Sequence, residues 1–180
     1  MFGLSVMLLA LCGYAFAAEA GGLWIDVPFV HQEREGCGAA TIAMVMQYWQ
    51  QKAGQLASTS ANADQILSAL HSDAAHGIFA SDMVRYFGQN GYRTFAFAAD
   101  WPDLERHLAS GRPLIVALKP SAAEPLHYVV VAGLDPDNKL IILNDPAQRK
   151  LLKEEAARFE REWEAAGHWT LLAVPEARAR

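Results

Sequence analysis

The chain has 180 residues, of which 52% are hydrophobic, and a formal net charge of −5 at pH 7. This length and apolar fraction fit one globular domain with a sizeable core and exclude an intrinsically disordered chain. The negative charge gives no electrostatic reason to expect nucleic acid or an anionic membrane surface as a partner.

The N-terminal run "MFGLSVMLLALCGYAFA" is apolar, and small residues follow it. Residues 15–17 and 18–20 both fit the small-x-small pattern of signal cleavage, so we predict a signal peptide over residues 1–20. The run is short for a membrane span, and we expect no stable membrane insertion once the signal is removed. The protein is then exported, periplasmic or secreted. No Lys or Arg precedes the run, so a retained N-terminal membrane anchor is the alternative.

The cysteine content limits the chemistry of the mature chain. The sequence has two cysteines, Cys12 and Cys37, and removal of the signal would take Cys12 with it. An intramolecular disulfide is then impossible, and a zinc site would need ligands other than a second thiolate. A lone thiol in an exported protein is expected to be used, buried or paired with another chain.

The first half of the predicted domain (residues 21–175) is mainly helical. The run "LWIDVPFV" predicts a short strand, and "YRTFAFA" alternates like a second one. Apolar spacing and end signals predict four helices, over residues 37–51, 62–70, 80–91 and 100–111. We expect Asn62, Ser81 and Asp100 to cap the last three of them.

The second half is rich in strand patterns. Four runs predict strands: "PLIVALK", "HYVVVAGL", "KLIILND" and "HWTLLAVP". The turn "DPDN", residues 135–138, joins the second and third of them as a hairpin, and a short amphipathic helix over 154–167 precedes the last. Helices followed by an antiparallel sheet indicate an α+β fold. Residues 176–180 are predicted to be a frayed tail.

Cys37 falls in the first turn of the first long helix. The unpaired N–H groups and the dipole of a helix N-terminus stabilise a thiolate there. Gly36 and Gly38 would leave room for a substrate carbonyl. The side-chain amide of Gln32, together with the backbone N–H of Cys37, could hold a developing oxyanion. The alternative is that Cys37 is a small buried packing residue.

His127 and Asp145 lie at neighbouring strand ends of the predicted hairpin. His127 begins "HYVVVAGL", and Asp145 ends the next strand in "IILNDPA". If the two strands pair through residues 135–138, the carboxylate comes within reach of the imidazole. That arrangement orients a general base and fixes its tautomer. Taken alone, Asp145 would more simply be a residue that ends a strand.

The motifs "QEREGCGAATIAM", "HYVVVAG" and "NDPA" resemble the bacteriocin-processing cysteine peptidases, family thirty-nine of the cysteine peptidases. The resemblance extends from about residue 27 to 147. It implies a papain-like fold, with an N-terminal helical subdomain packed on a C-terminal antiparallel sheet. It also implies no cofactor and a peptide or protein substrate.

The same resemblance assigns roles to four residues. Cys37 would be the nucleophile, His127 the general base, Asp145 the orienting residue and Gln32 the oxyanion donor. Family members usually carry Asp or Glu before the cysteine, where this chain has Gly36. No transporter segment follows in the chain, so we expect a stand-alone member, and recognition of a double-glycine motif does not carry over.

Three alternatives stay open beside this reading. A thiol amidase or acyltransferase could use the same residues on a non-peptide substrate, and a binding module could keep the fold without turnover. The stretch "HSDAAH", with His71, Asp73 and His76, could hold a metal ion. Its spacing fits no strong ligand pattern, so we predict a solvated loop and no metal site.

Overall fold

The structure is a computed structural model that describes residues 22–176. Within that range the helices are α1 (Cys37–Lys52), α2 (Ala63–Leu70), α3 (Ala80–Gln89), α4 (Trp101–Ala109) and α5 (Ala156–Glu164). The strands are β1 (Leu23–Trp24), β2 (Tyr92–Ala98), β3 (Leu114–Leu118), β4 (His127–Asp135), β5 (Leu140–Asp145), β6 (Arg149–Glu155) and β7 (Trp169–Pro175). The signal predicted over residues 1–20, which includes Cys12, and the tail residues 177–180 lie outside the described residues.

The strands form one antiparallel sheet in the order β2-β7-β3-β4-β5-β6, and the two-residue β1 pairs with the far end of β4. The predicted hairpin is present, because β4 and β5 pair directly across the turn at residues 135–138. The predicted α+β fold is therefore confirmed. Among residues 22–176, none of the helices has the length and apolar character needed to cross a bilayer.

Alternation along β4 divides the core between the two faces of the sheet. Tyr128 and Val130 pack in the cluster that contains α1, whereas Val129 and Val131 pack in the cluster that contains α5. Successive side chains of a strand point to opposite faces, so β4 is buried on both of its faces. The first three helices therefore cover one face and α4 and α5 the other, so helices flank the sheet on both sides.

Helix caps show where local sequence signals decided the structure. The side chain of Asn62 accepts from the backbone N–H of Gln65 at 3.0 Å, and Asp100 forms a capping box with Asp103. Both caps were predicted. The cap assigned to Ser81 is wrong, because α3 begins at Ala80 and Phe79, two residues before Ser81, occupies the N-cap position without a side-chain hydrogen bond.

Two strand predictions also need correction. The run over residues 23–30 forms a strand only at Leu23 and Trp24. One further backbone hydrogen bond joins Ile25 to Ala132, and the rest of the run is an irregular segment that leads to α1. Strand β6 was not predicted, and its last two residues were assigned to the following helix. Its sequence "RKLLKEE" is charged, which suits an exposed edge strand but obscures the apolar alternation used to recognise strands.

Candidate active site

Cys37 is the first residue of α1 and is 9% exposed within the core that joins α1 to the sheet. The N-cap residue Gly36 makes no side-chain hydrogen bond to this helix end, and the first turn contains no acidic residue. The N–H groups of the first turn therefore have no side-chain cap, and no nearby carboxylate of the first turn opposes a negative charge there. The uncapped N–H groups are therefore free to donate to a negatively charged group.

The glycines on either side of Cys37 have a different role from the one expected. A Cβ at Gly36 would lie 2.6 Å from the carbonyl oxygen of Glu33, and a Cβ at Gly38 would lie 3.1 Å from the Cβ of Ile78. Neighbouring protein atoms already occupy the space, so it is not left for a substrate carbonyl. The close approach at Gly36 leaves no room for a side chain at this position of the backbone.

His127 and Asp145 are brought together by the β4–β5 hairpin. His127 is the first residue of β4 and Asp145 the last of β5, and His127 Nε2 lies 2.8 Å from Asp145 Oδ1. The side chains are 23% and 6% exposed, so the pair is largely removed from solvent. Because Nε2 is bonded to the carboxylate, Nδ1 is the ring nitrogen left for a second partner.

Electrostatics around His127 favour its charged form. Burial lowers the pKa of His127, but hydrogen bonds and charge from Asp145 and then Cys37 outweigh that effect and raise it to about 10. For Asp145, burial raises the pKa, and the hydrogen bond and charge of His127 with two further donors bring it below its usual value. Cys37 and Asp145 are thus both part of the electrostatic surroundings of His127.

Two further groups hold the Asp145 carboxylate. The backbone N–H of Ala147 donates to Oδ1 at 2.9 Å, and the side-chain Nε2 of Gln148 donates to Oδ2 at 2.6 Å. Sequence reasoning did not find Gln148. A glutamine in a turn after a strand carries no recognisable signal, and only the tight loop from Asp145 to Arg149 brings it back onto the carboxylate.

Gln32 reaches the site through its backbone. Its N–H donates to the carbonyl of Pro146 at 2.9 Å, next to Asp145 in the chain. Its side-chain Nε2 donates to the carbonyl of Arg34 at 2.8 Å, and within the described chain its Oε1 is buried without a hydrogen-bond partner. One of the two amide N–H bonds is therefore used locally, and the other has no acceptor among these contacts.

Asn144, which is fully buried, ties the loop that carries Gln32 to the sheet. Its Nδ2 donates to the carbonyl of Val27 at 3.0 Å, and its Oδ1 accepts from the backbone N–H of Leu151 at 2.9 Å. The side chain thus satisfies a donor on one segment and an acceptor on another, as a buried amide must. It fixes the entry to the Gln32 loop beside the residue that carries the carboxylate.

Tyr128 packs beside the thiol and forms part of the wall of the site. It is 5% exposed, and its ring contacts Trp169 edge to face at a centroid distance of 5.5 Å. Burial, followed by the charge of Cys37, raises the pKa of Tyr128 to about 12. The tyrosine therefore stays neutral and contributes apolar surface next to the sulfur.

In the stretch "HSDAAH", both histidines contact the carboxylate of Glu35. His71 Nε2 lies 3.2 Å from Glu35 Oε2, and His76 Nδ1 lies 3.4 Å from Glu35 Oε1. These contacts connect the loop before Cys37 to the segment after α2. Over residues 22–176, no set of three or more His, Cys, Asp or Glu side chains is arranged to hold a metal ion.

A cavity among the described residues lies far from Cys37, His127 and Asp145. Its volume is about 950 Å³, and it is lined by residues of β1, α4 and the turn end of the β4–β5 hairpin, including Leu23, Trp101 and Leu134. Leu134 is seven residues along the same strand from His127, which corresponds to roughly 23 Å. The cavity is therefore separate from Cys37, His127 and Asp145.

Comparisons with known proteins agree with this architecture. The Peptidase_C39 like family matches residues 24–170. A solved structure described as a C39-like peptidase from Bacillus anthracis is 14% identical, with a TM-score of 0.67 over 88% of this chain and 100% of that one. No curated protein matches the chain.

Two further solved structures come from transporters. The peptidase domain of Streptococcus ComA, a bi-functional ABC transporter involved in quorum sensing, is 23% identical, with a TM-score of 0.61 over 83% of this chain and 98% of that one. A double glycine motif protease from an AMS/PCAT transporter, in complex with its leader peptide, is 21% identical, with a TM-score of 0.62 over 84% and 94%. At these identities the likeness shows the fold, and it confirms the predicted papain-like architecture.

Proposed function

The chain belongs to the Peptidase_C39 like family, and on that premise we propose that it is an exported cysteine peptidase that hydrolyses a peptide bond. The family and the fold support a cysteine peptidase domain. The observation that carries the finer proposal is the 2.8 Å contact between His127 Nε2 and Asp145 Oδ1 beside the Cys37 thiol. Cys37 is then the nucleophile, His127 the general acid and base, and Asp145 the residue that orients the imidazole.

The acylation step follows from this arrangement. The Cys37 thiolate attacks the carbonyl carbon of the scissile peptide bond, and the carbonyl electron pair moves onto oxygen. The oxyanion accepts hydrogen bonds from the backbone N–H of Cys37 and from the Gln32 amide. As the oxyanion collapses, the C–N bond breaks and His127 donates its Nδ1 proton to the leaving amine.

Deacylation reverses the direction of proton transfer. His127, now neutral, accepts a proton from a water molecule whose oxygen attacks the thioester carbon. The C–S bond breaks, the carboxylic acid product leaves, and the thiolate–imidazolium pair is restored. Asp145 stays ionised throughout, and its contact with Nε2 stabilises the imidazolium each time it forms.

Gln32 acts in this proposal through its unused N–H bond. The backbone contact to Pro146 anchors the Gln32 loop next to the site, and one amide N–H is occupied by the Arg34 carbonyl. A small rotation of the side chain would direct the second N–H to a substrate oxygen. Apo sites often hold such donors out of line until substrate arrives.

Selective alkylation tests the nucleophile. In the folded protein that begins near residue 21, iodoacetamide should modify Cys37, and modification should abolish turnover, because a thiolate near an imidazolium reacts readily. His127→Ala should slow the alkylation, whereas Gln89→Ala, an exposed change on α3, should not. A thiol that reacts only after denaturation would indicate a buried structural cysteine and overturn the proposal.

Comparison of secreted proteins identifies the reaction class. Cells that carry the Cys37→Ala variant should lack specific proteolytic fragments that wild-type cells produce. If Cys37 reacts in vitro but the fragments are unchanged, the thiol amidase or acyltransferase alternative is favoured. If Cys37 is inert and no fragment changes, a non-catalytic binding module is favoured.

The N-terminus of the recovered protein tests export. We expect a mature chain that begins between residues 18 and 21 when the protein is isolated from the cell envelope or the medium. Mass spectrometry of the N-terminal peptide provides the measurement. An intact residue 1 in a membrane fraction would instead establish the anchored form.

A further inference from the structure

We propose that Gln148 is a positioning residue that holds the outer oxygen of the Asp145 carboxylate, so that the inner oxygen stays on His127. The inference rests on the proposed function, because it concerns the same imidazole. The family resemblance stated for the sequence does not assign a role to this position. The side chain touches neither Cys37 nor His127 among the hydrogen bonds of the described residues, so it would act through Asp145 alone.

The contacts around the carboxylate divide its two oxygens between separate tasks. Oδ1 accepts from His127 Nε2 at 2.8 Å and from the backbone N–H of Ala147 at 2.9 Å. Oδ2 accepts from Gln148 Nε2 at 2.6 Å. A carboxylate can rotate about its terminal bond, and that torsion is broad for Asp. Donors on both oxygens restrict the rotation and keep one oxygen in line with the imidazole.

The backbone places Gln148 for this contact. Its own N–H donates to the carbonyl of Asp145 at 3.0 Å, which closes the turn between β5 and β6. Asp145 and Arg149 are paired across the two strands, so only three residues lie between them. The glutamine is therefore fixed by a short loop at its base, although the residue itself is exposed.

The chemistry of an amide suits this position better than that of a cation. A hydrogen-bond donor on a carboxylate favours its ionised form, and Gln148 contributes to the low pKa of Asp145. A lysine or arginine in its place would also bind Oδ2, but its positive charge would repel the His127 imidazolium. The neutral amide supports the carboxylate without that repulsion.

The test is a pair of variants with a matched control. Gln148→Met keeps the length of the side chain and removes the donor, and Gln148→Glu replaces the donor with a negative charge. Gln89→Ala serves as the control, because Gln89 is an exposed glutamine on α3. We expect Gln148→Met to lower the rate of Cys37 alkylation and kcat/KM by about tenfold, since a hydrogen bond to a charged group is lost.

The readout that separates positioning from a general structural role is the titration of His127. Its imidazole signals, followed by NMR in the absence of substrate, should titrate at lower pH in Gln148→Met than in the wild type. The thermal unfolding midpoint should change little, because the side chain is exposed. Gln148→Glu should retain an ordered fold but also show a displaced titration, since a second carboxylate faces Asp145.

Two outcomes distinguish the failure of this inference from the failure of the proposed function. If Cys37 alkylates rapidly and His127 titrates identically in Gln148→Met and the wild type, Gln148 is only a turn residue, and the inference is wrong. If Cys37 is inert in the wild-type protein as well, the proposed function itself fails, and Gln148 has no imidazole to position for catalysis.

Discussion

The sheet side and the helix side of the candidate site differ in how completely their polar groups are hydrogen-bonded. On the sheet side, the Asp145 carboxylate accepts three hydrogen bonds, from His127, Ala147 and Gln148. On the helix side, α1 starts without a side-chain cap, and only one of the two side-chain N–H bonds of Gln32 has an acceptor among the described residues. We call the sheet side saturated, because both oxygens of its carboxylate already accept hydrogen bonds from the protein, and the helix side unsaturated, because it has N–H groups without an acceptor.

This difference matches the order in which charge moves in the proposed reaction. The imidazolium exists before the substrate arrives, so its carboxylate must be in place from the start. The oxyanion appears only during the reaction, so the N–H groups that would stabilise it must have no other acceptor until then. The paired carboxylate suits a preorganised base, and the unused N–H groups suit an oxyanion site that is empty before substrate binds.

Removal of the negative charge on the saturated side should have the largest effect. Asp145→Asn keeps the shape but can place the imidazole in the wrong tautomer. We expect a loss in kcat smaller than the roughly 10⁴-fold loss known for the serine triad, because a thiolate is intrinsically nucleophilic. Comparison of the steady-state kinetics of this variant with its unfolding midpoint would separate a catalytic effect from a loss of stability. A loss below tenfold would contradict the role of Asp145.

The same variant should change the pH dependence. In the wild type the raised pKa of His127 keeps the imidazole protonated at neutral pH, so kcat/KM should fall only as the pH rises through about 10. Without the carboxylate, the fall should occur at lower pH. The pairing also contributes folding stability that is fully present below pH 6.5, the ordinary pKa of histidine, and is lost as the pH rises towards the same value of about 10.

A smaller effect is expected on the unsaturated side. Gln32→Ala should lose one oxyanion donor and lower kcat on the order of 10²-fold, with little change in KM. Alkylation of Cys37 should be unaffected, because the thiolate does not depend on the amide. If the variant keeps full turnover on the true substrate, Gln32 is a loop residue only. The Cys37–His127 pair could still be catalytic in that case.

The smallest effect on catalysis should come from a change at Asn144, whose side chain connects the Gln32 loop to the sheet. Asn144→Leu would leave the Val27 carbonyl and the Leu151 N–H unpaired in the interior, which we expect to cost on the order of 3 kcal/mol in the free energy of unfolding. Urea denaturation measures it, and Asn138→Leu, in the exposed β4–β5 turn, should cost clearly less. Equal losses of unfolding free energy in the two variants would show that the buried Asn144 amide does not hold the Gln32 loop to the sheet.

The sequence predicted the saturated side better than the unsaturated one. The turn at residues 135–138 and the alternation of β4 were enough to place His127 beside Asp145, because a hairpin links residues that are close in the chain. Gln148 was missed, since its role depends on the loop closed by β6, whose charged sequence obscures the strand. The contacts of Gln32 and the packing against Gly36 and Gly38 depend on distant segments, and local patterns do not encode them.

The contacts of Asn144 also bear on when the proposed activity would appear as the chain folds. Val27 and Asn144 are 117 positions apart, and Cys37 and His127 are 90 positions apart along the chain. Contacts between such distant segments are slow to form, because loop closure must precede any gain from pairing. Helix α1 can form early from local sequence, but the thiol acquires its imidazole only after β4 and β5 have paired and docked. Partly folded chains would therefore carry a cysteine of ordinary reactivity, and neighbouring chains would be protected from cleavage until folding is almost complete.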